Sequence, residues 1–133
     1  MICGSGVDII EIDRVRKAFG RWKDSFPQRV FTRKEIEYCE SKKDPAAHYA
    51  ARFAAKEALI KALANKSFER IRLSEIEIAA DQGRERPRVA LYGNAQEVAM
   101  ALKVEDIFVS ISHSKKYAVA QIILEGKNTT KST

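Results

Sequence analysis

Residues 47–64 constrain the fold more than any other segment, because they contain neither glycine nor proline and are rich in alanine, leucine and lysine. Residues of these types have high helix propensities, and over a segment of this length the preferences add up. Asp44 and Pro45 come directly before the segment, and proline is favoured in the first turn of a helix. The pattern therefore predicts one long helix over residues 45–64.

The N-terminal part of the chain predicts a strand and then an amphipathic helix. Residues 7–12 are mostly β-branched and follow Gly4 and Gly6, which indicates a buried strand bounded by the two glycines. Apolar residues then recur at helical spacing over residues 13–26, and Pro27 is expected to end that helix.

The remaining patterns complete the predicted order of elements. Thr32 and Glu35 have the spacing of a capping box, so a short helix should follow them. Residues 75–78 alternate like a half-exposed strand. Further elements are predicted as strands at 88–92, 107–112 and 117–124 and a helix at 95–102. The order predicts a single α+β domain over residues 1–125, with a mainly antiparallel sheet wrapped with helices, and a polar C-terminal tail at 126–133.

Composition excludes several classes of protein. The 133 residues are 45% hydrophobic and 32% charged, which is typical of a folded domain rather than a disordered or membrane-spanning chain. Lys and Arg number 24 against 18 Asp and Glu, and the resulting net charge of +6 favours an acidic partner. Cys3 and Cys39 form no zinc motif, and no export leader is evident, so we expect a cytoplasmic protein.

Two carboxylates are the strongest candidates for chemistry. Asp8 interrupts a run of β-branched residues, where a charge costs on the order of several kcal/mol unless it is paired or bound to metal. Glu57 falls at the edge of an apolar face of the long helix, flanked by Lys56 and Lys61. Two carboxylates near lysines suit Mg²⁺ and a phosphorylated ligand. The alternatives are a strand-end pair between Asp8 and a lysine and an ordinary Glu57–Lys61 surface pair.

Further polar residues lie near the predicted strand at 107–112. His113 follows Ser112 at the end of that strand, where an imidazole could meet a phosphate, although a single histidine at a turn is more often solvated. Neither a P-loop nor a GxGxxG sequence occurs, which excludes the common phosphate-binding loops.

Arg14, Lys17 and Arg21 form a basic stripe on the helix predicted at 13–26. Such a stripe either docks an acidic partner or is simply a solvated surface.

Four segments occur in one order and together carry a family resemblance. They are GVDIIEIDRV at 6–15, FTRKE at 31–35, RFAAKEALIKA at 52–62 and SISHS at 110–114. With these motifs the chain resembles the holo-acyl-carrier-protein synthases, the small bacterial type of 4'-phosphopantetheinyl transferase, nearly to its end. The resemblance implies Mg²⁺-dependent transfer of 4'-phosphopantetheine from coenzyme A to a serine of apo acyl carrier protein in fatty acid biosynthesis. Adenosine 3',5'-bisphosphate is the expected by-product.

The resemblance also implies roles for individual residues. Asp8 and Glu57 would bind Mg²⁺, and Lys61 would reach the phosphates of coenzyme A, so these three residues are the expected catalytic group. His113, with Ser112 beside it, would line the coenzyme A pocket. The residue that removes the serine proton is left open.

The resemblance extends to partners. Arg14 and Arg21 fall where family members dock the acidic carrier, and Lys17 shares their face. A homotrimer with active sites shared between subunits is expected, and neither a nucleic acid nor a membrane is expected as a partner. One departure is that residues 64–70 contain no glycine, whereas family members usually have a glycine-rich turn there.

Two other functions remain open from the residues alone. A basic phosphate- or RNA-binding module would explain the net charge, but it would explain neither Asp8 nor Glu57. A metal-dependent phosphohydrolase would use the same carboxylates with His113 and would cleave coenzyme A without a carrier protein.

Overall fold

The structure, a computed structural model, describes residues 1–21, 26–63, 71–79 and 87–127. The described helices are α1 (Ile12–Arg21), α2 (Phe26–Val30), α3 (Arg33–Glu40), α4 (Pro45–Leu63) and α5 (Gly93–Ala101). The described strands are β1 (Ile2–Glu11), β2 (Ile76–Ala79), β3 (Arg88–Leu91), β4 (Val104–His113) and β5 (Tyr117–Gly126). A short 3-10 helix at Leu73–Glu75 precedes β2. The α+β fold class is confirmed.

The larger sheet has three antiparallel strands in the order β1-β5-β4, and β2 and β3 form a separate antiparallel pair. Asp8 on β1 pairs with Ala120, and His113 on β4 pairs with Ala118 of the same central strand. Because side chains alternate between the two faces of a strand, Asp8 and His113 lie on one face of the sheet, at its two opposite edge strands.

Helix α4 packs on that face through small residues. Its buried alanines contact the apolar side chains of β5. A Cβ atom added to Gly6 would overlap the carbonyl oxygen of Ala58, and one added to Gly4 would overlap that of Ala62. The prediction that these glycines bound the strand is wrong. They lie inside β1, where the missing side chain lets the strand approach the helix backbone closely.

The helix predicted at 13–26 was wrong at its end. Helix α1 ends at Arg21, residues 22–25 lie outside the described residues, and Pro27 lies in the first turn of α2 rather than after a helix. A proline is tolerated there because its missing N–H would have no acceptor within the helix.

The capping box and the long helix are confirmed. The hydroxyl of Thr32 accepts from the Glu35 N–H at 3.3 Å, and the Glu35 carboxylate accepts from the Thr32 N–H at 2.8 Å. Helix α4 begins at Pro45, as predicted, and continues to Leu63. The last residue of the predicted range, residue 64, lies outside the described residues.

Lys56 is buried rather than exposed beside Glu57. Its ammonium lies 2.7 Å from Glu35 Oε1, and both side chains are fully buried. It also donates to the carbonyl oxygens of Val30 and Leu73 at 2.8 Å and 3.0 Å. Burial lowers the pKa of Lys56, and Glu35 opposes that effect. The residue therefore fastens α4 to the elements around it.

Strand β2 is more buried than its alternating sequence predicted. Glu77, expected on a solvated face, is 6% exposed. Its carboxylate accepts from the Thr32 hydroxyl at 2.6 Å and from the Tyr92 hydroxyl at 3.3 Å. Alternation of charged and apolar residues did not distinguish a solvated glutamate from one held by hydroxyl groups of other elements.

The face of the large sheet that points away from α4 is exposed in the single chain. Val7 and Ile9 of β1 are 57% and 62% exposed, and Val119 of β5 and Phe108 of β4 are each 38% exposed. The prediction of a buried first strand is therefore wrong for the single chain, because the residues of β1 are half-buried on the side of α4 and exposed on the other side. We call this surface the outer face of the sheet.

The C-terminal strand is longer than predicted. Strand β5 extends to Gly126, whose N–H donates to the Met1 carbonyl oxygen at 3.0 Å. Residues 128–133 of the predicted tail lie outside the described residues. Within the described part of the chain, no helix combines the length and the apolar character needed to cross a bilayer.

Candidate active site

Asp8, Glu57 and Lys61 meet where α4 crosses the β1 edge of the sheet. The Lys61 ammonium donates to Asp8 Oδ1 at 2.9 Å and to the Val7 carbonyl oxygen at 3.1 Å. Glu57 lies one helical turn before Lys61, so its side chain leaves the same flank of α4. The structure thus brings together the three residues that the sequence predicted as the catalytic group.

The charges of this group favour a cation. Burial and the nearby Asp8 carboxylate raise the pKa of Glu57, and Lys61 offsets them only in part. No group of three or more His, Cys, Asp or Glu side chains is placed to hold a metal ion within the described ranges. Mg²⁺ is commonly held by one or two carboxylates together with substrate phosphates, so this pair fits it.

The Asp8–Lys61 contact bears on both alternatives that the sequence left open. Asp8 does pair with a lysine, but it lies within β1 and not at a strand end. Lys61 directs its ammonium across to the strand, a contact that helical i,i+4 spacing alone does not explain. The pair therefore joins two elements at one site.

A second cluster surrounds His113 at the β4 edge. The centroid of the His113 ring lies 5.3 Å from that of His48 on α4, and His48 meets the Tyr38 ring edge-on at 5.9 Å. The Arg52 guanidinium and the Lys42 ammonium lie 4.2 Å and 4.6 Å from the centroid of the same tyrosine ring. We call His113, His48, Tyr38, Arg52 and Lys42 the histidine cluster.

Arg52 carries an unsatisfied donor within this cluster. The residue is 2% exposed, and its Nε is buried with no hydrogen-bond partner in the part of the chain that the structure describes. Leaving a buried donor unsatisfied costs about 1–3 kcal/mol. A guanidinium among other cationic groups is suited to an anion with several oxygen acceptors, such as a phosphate.

The sequence did not single out Arg52, His48 or Lys42 as site residues. Arg52 begins the segment at 52–62 that carries the resemblance, and that was the available signal. His48 approaches His113 only because α4 packs across the sheet, and Lys42 belongs to the cluster through the Tyr38 ring, which neither motif nor spacing reveals.

The two groups project from opposite sides of α4. At about 100° per residue, Arg52 lies about 40° from His48 around the helix, whereas Glu57 lies about 180° and Lys61 about 220° from it. The sheet order agrees, because Asp8 and His113 lie on opposite edge strands. In one chain, α4 therefore separates the carboxylate pair from the histidine cluster.

Ser112 does not join His113. Neighbouring side chains in a strand point to opposite faces, and Ser112 is exposed beside Val7 and Val119 on the outer face. Ser112 and His113 therefore do not face the same side of the sheet in a single chain, and the predicted role of Ser112 in binding coenzyme A stays a prediction.

The basic stripe is exposed where it is described. Arg14 and Lys17 are exposed on α1, and the Arg21 side chain lies outside the described part of the chain. The predicted role of the stripe stays a prediction.

An apolar pocket of about 280 Å³ lies beside Arg14. Its other lining residues are Ile10, Val15, Ala18, Phe31 and Phe53. Ile10 is two residues after Asp8 on the same face of β1, and Phe53 is one helical turn before Glu57. Arg14 of the stripe therefore borders a pocket next to the carboxylate pair. The glycine-free segment at 64–70 lies outside the described residues.

Comparison with known proteins gives one consistent result. The family pattern of the 4'-phosphopantetheinyl transferase superfamily matches residues 4–122. A holo-[acyl-carrier-protein] synthase of Syntrophus aciditrophicus is 44% identical over 126 residues, covering 95% of this chain and 98% of that protein.

Solved structures agree with the sequence comparison. The holo-ACP-synthase of Plasmodium yoelii superposes with a TM-score of 0.81 at 32% identity, covering 96% of this chain and 98% of that one. The holo-(acyl-carrier-protein) synthase of Bacillus anthracis in complex with CoA (3',5'-ADP) gives a TM-score of 0.74 at 32% identity, covering 96% and 99%. Together with the residues described above, these matches show that the chain belongs to the 4'-phosphopantetheinyl transferase superfamily and, within it, to the holo-[acyl-carrier-protein] synthases.

Proposed function

We propose that this enzyme transfers 4'-phosphopantetheine from coenzyme A to a serine of apo acyl carrier protein in fatty acid biosynthesis, with Mg²⁺ held by Asp8 and Glu57. The observation that carries the proposal is the meeting of these carboxylates with Lys61 across β1 and α4. The names of the relatives support the acceptor, and the Bacillus anthracis complex supports the donor.

The reaction depends more on stabilising the negative charge of the phosphates than on a strong general acid. The serine oxygen bonds to the phosphorus of phosphopantetheine as the pyrophosphate P–O bond breaks. The electron pair leaves on adenosine 3',5'-bisphosphate, and the proton of the serine hydroxyl passes to solvent. Bound Mg²⁺ would supply a positive charge that neutralises the pyrophosphate and its leaving phosphate. Asp8 and Glu57 provide the two anionic ligands for that ion.

Lys61 would bind the pyrophosphate directly. Its side chain is 56% exposed, so the ammonium can leave Asp8 and turn toward a phosphate without crossing a packed core. A compact ammonium on a flexible stem can follow the charge as it moves to the leaving phosphate.

The histidine cluster would bind the other phosphate of coenzyme A. In addition to its pyrophosphate, coenzyme A carries a phosphomonoester on the ribose, which is a dianion over much of the neutral range. Arg52 and Lys42 offer cationic donors to such a group, His113 lies beside them, and the unsatisfied Arg52 Nε supports this role.

The separation of the two groups supports active sites shared between subunits. In one chain α4 stands between the two groups, so a coenzyme A that contacts both would have to reach around the helix. Carboxylates of one subunit could meet the histidine cluster of the next in a closed ring. The exposed apolar outer face supports association of copies, and we propose the homotrimer that the family resemblance implies.

The acidic carrier would dock on the basic stripe of α1. Arg14 and Lys17 are exposed on α1, and Arg14 lines the pocket next to the carboxylate pair, so a carrier bound there would lie near that pair. We place the reaction in the cytoplasm, since both Cys3 and Cys39 are free thiols, as a reducing compartment keeps them.

The direct test is to incubate the purified enzyme with apo acyl carrier protein, coenzyme A and Mg²⁺ and to weigh the carrier by intact-protein mass spectrometry. The expected result is a mass gain of one phosphopantetheine that disappears with a chelator and returns with added Mg²⁺. Release of adenosine 3',5'-bisphosphate in equal amount checks the stoichiometry.

Two results would overturn the proposal. An unmodified carrier with coenzyme A consumed would indicate a phosphohydrolase. An unmodified carrier with coenzyme A intact, after several carrier proteins had been tried, would indicate a phosphate-binding module. A gain unaffected by the chelator would remove the metal from the proposal while keeping the transfer.

A further inference from the structure

His48 stands next to His113 without having been implicated by any motif. It lies on α4, and its ring meets that of His113 at 5.3 Å with an interplanar angle of 70°. The chain contains only two histidines, so both of its imidazoles are in this one contact. Two imidazoles side by side offer two donors to one anion when both are protonated.

The groups around His48 come from every neighbouring element. They are Tyr38 from α3, Lys42 from the turn after it, Asp44 just before α4, Arg52 one turn along α4 and His113 from β4. Asp44 is engaged by Arg16, whose guanidinium donates to it at 3.0 Å. The charged groups named here are therefore mainly cationic, and the Asp44 carboxylate is shared with an arginine.

We propose that His48 binds the ribose phosphomonoester of coenzyme A together with His113, and that this binding draws one proton from solvent onto His48. The proposal rests on the proposed function, which places that phosphate in the histidine cluster. The N–H bond of the protonated imidazole is the only covalent bond formed in this step.

The physical reason is that the phosphate reverses the local charge. Burial lowers the pKa of His48 below 6.5, and His113, Arg52 and Lys42 lower it further, so the ring is neutral near pH 7 before the ligand binds. A phosphate dianion beside the ring favours the protonated form and raises that pKa. The ligand therefore binds more tightly as the pH falls through the window between the two pKa values.

The presence of only two histidines makes the test direct. The C2–H proton resonances of both rings are followed by NMR over pH 5–8, with and without saturating adenosine 3',5'-bisphosphate, and are assigned with His48→Phe. The expected result is that the ligand raises the titration midpoint of His48 by about one pH unit, equal to about tenfold tighter binding across the window. Adenosine 5'-monophosphate, which lacks the 3'-phosphate, should leave that midpoint in place.

The pH dependence of the KM for coenzyme A distinguishes proton uptake by His48 from a purely structural role of its ring. Between pH 5 and 8, the KM for coenzyme A should vary about tenfold more in the wild type than in His48→Phe. The titration of the phosphate itself is common to both proteins and cancels in the comparison. The substitution keeps an aromatic ring against His113, and its thermal unfolding is measured as a check.

The possible failures are distinguishable. If the bisphosphate shifts the His113 resonance but leaves the midpoint of His48 unchanged, the further inference is wrong and the proposed coenzyme A site stands. If neither resonance responds to millimolar bisphosphate, the proposed site for the phosphomonoester is wrong and this inference is wrong with it.

Discussion

Asp8 and Lys61 form a contact whose contribution to stability is small and whose proposed contribution to function is large. The Lys61 side chain is 56% exposed and that of Asp8 is 19% exposed, so water screens the pair. Such a pair contributes about 1 kcal/mol or less to the free energy of unfolding. Substitutions at this site should therefore separate activity from folding.

We expect Asp8→Asn and Glu57→Gln each to lower the initial rate of carrier modification at least about 100-fold. Each amide keeps the shape of the side chain but lacks the negative charge that holds a divalent cation. Urea unfolding should show that neither variant loses more than about 1 kcal/mol of stability. Glu97→Gln, a change at an exposed carboxylate on α5, is the matched control and should retain full activity.

Full activity in both variants would show that these carboxylates do not hold the catalytic cation. Loss of activity together with a collapsed unfolding curve would instead assign them a structural role.

The basic stripe leads to a second prediction about single residues. Arg14→Glu combined with Arg21→Glu should weaken binding of the carrier at least about tenfold at low salt, because both changes place like charges against an acidic partner. Coenzyme A binding should change little. Titrations of carrier and of coenzyme A at several salt concentrations test this.

Arg33→Glu combined with Lys34→Glu is the control for net charge, since it makes the same charge change on exposed residues of α3. If the control weakens carrier binding as much as the double change in α1, the attraction is general and the stripe is not the docking site.

Among the elements, the β1–α4 contact fixes the position of the carboxylate pair. A Cβ atom on Gly6 would also lie 2.9 Å from the Ala62 backbone nitrogen, a backbone atom that cannot rotate away. Gly6→Ala should therefore push β1 from α4 and lower the free energy of unfolding by about 1–3 kcal/mol.

Gly20→Ala is the control for this prediction. Its added Cβ would meet nothing within 4 Å, and alanine is the better helix former, so stability should stay the same or rise by up to about 1 kcal/mol. Chemical denaturation of both variants gives the comparison. Equal stability of the two would mean that strand and helix are not in close backbone contact at Gly6.

The sequence predicted those elements whose signals are local. The 47–64 segment and the Thr32–Glu35 capping box have their causes within one helix, and both are confirmed. Gly4 and Gly6 were placed at a boundary because the helix residues that require them, Ala58 and Ala62, lie more than fifty residues further along the chain. Glu77 looked solvated because the hydroxyls that bind it come from other elements.

The same distinction applies to the site. Asp8 attracted attention through its unsuitable surroundings and Glu57 through its helical face, and the structure places both beside Lys61. His48 and Arg52 join His113 only through tertiary packing. The sequence of a helix shows that two residues lie on opposite flanks. It does not show which flank lies toward which edge strand of the sheet.

For the whole molecule, the carboxylate pair, the histidine cluster and the outer face raise the question of whether one active site combines residues of two subunits. If a complete active site contains the carboxylates of one subunit and the histidine cluster of the next, a single chain holds two halves of different sites. The interface is then head to tail, and a closed ring repeats it at each subunit. This arrangement can be tested without any ligand-bound structure, because two different inactive proteins should complement each other.

The variants are Asp8→Asn, which removes a carboxylate, and His113→Glu, which places a negative charge against the phosphate. Each should be inactive at limiting coenzyme A, and light scattering should show that both keep the oligomeric state of the wild type. They are then refolded together in equal amounts. With random mixing, about one site in four combines an intact carboxylate half with an intact histidine half, so about a quarter of wild-type activity should return.

Mixing without refolding is the control, and it should restore activity only as fast as subunits exchange. The double variant carrying both changes in one chain, refolded with wild type, should also leave about a quarter of the sites intact if sites are shared, but half if each chain holds a whole site. A refolded mixture of the single variants that stays inactive would show that both halves act within one chain. Coenzyme A would then have to reach around α4 from one flank to the other within a single chain.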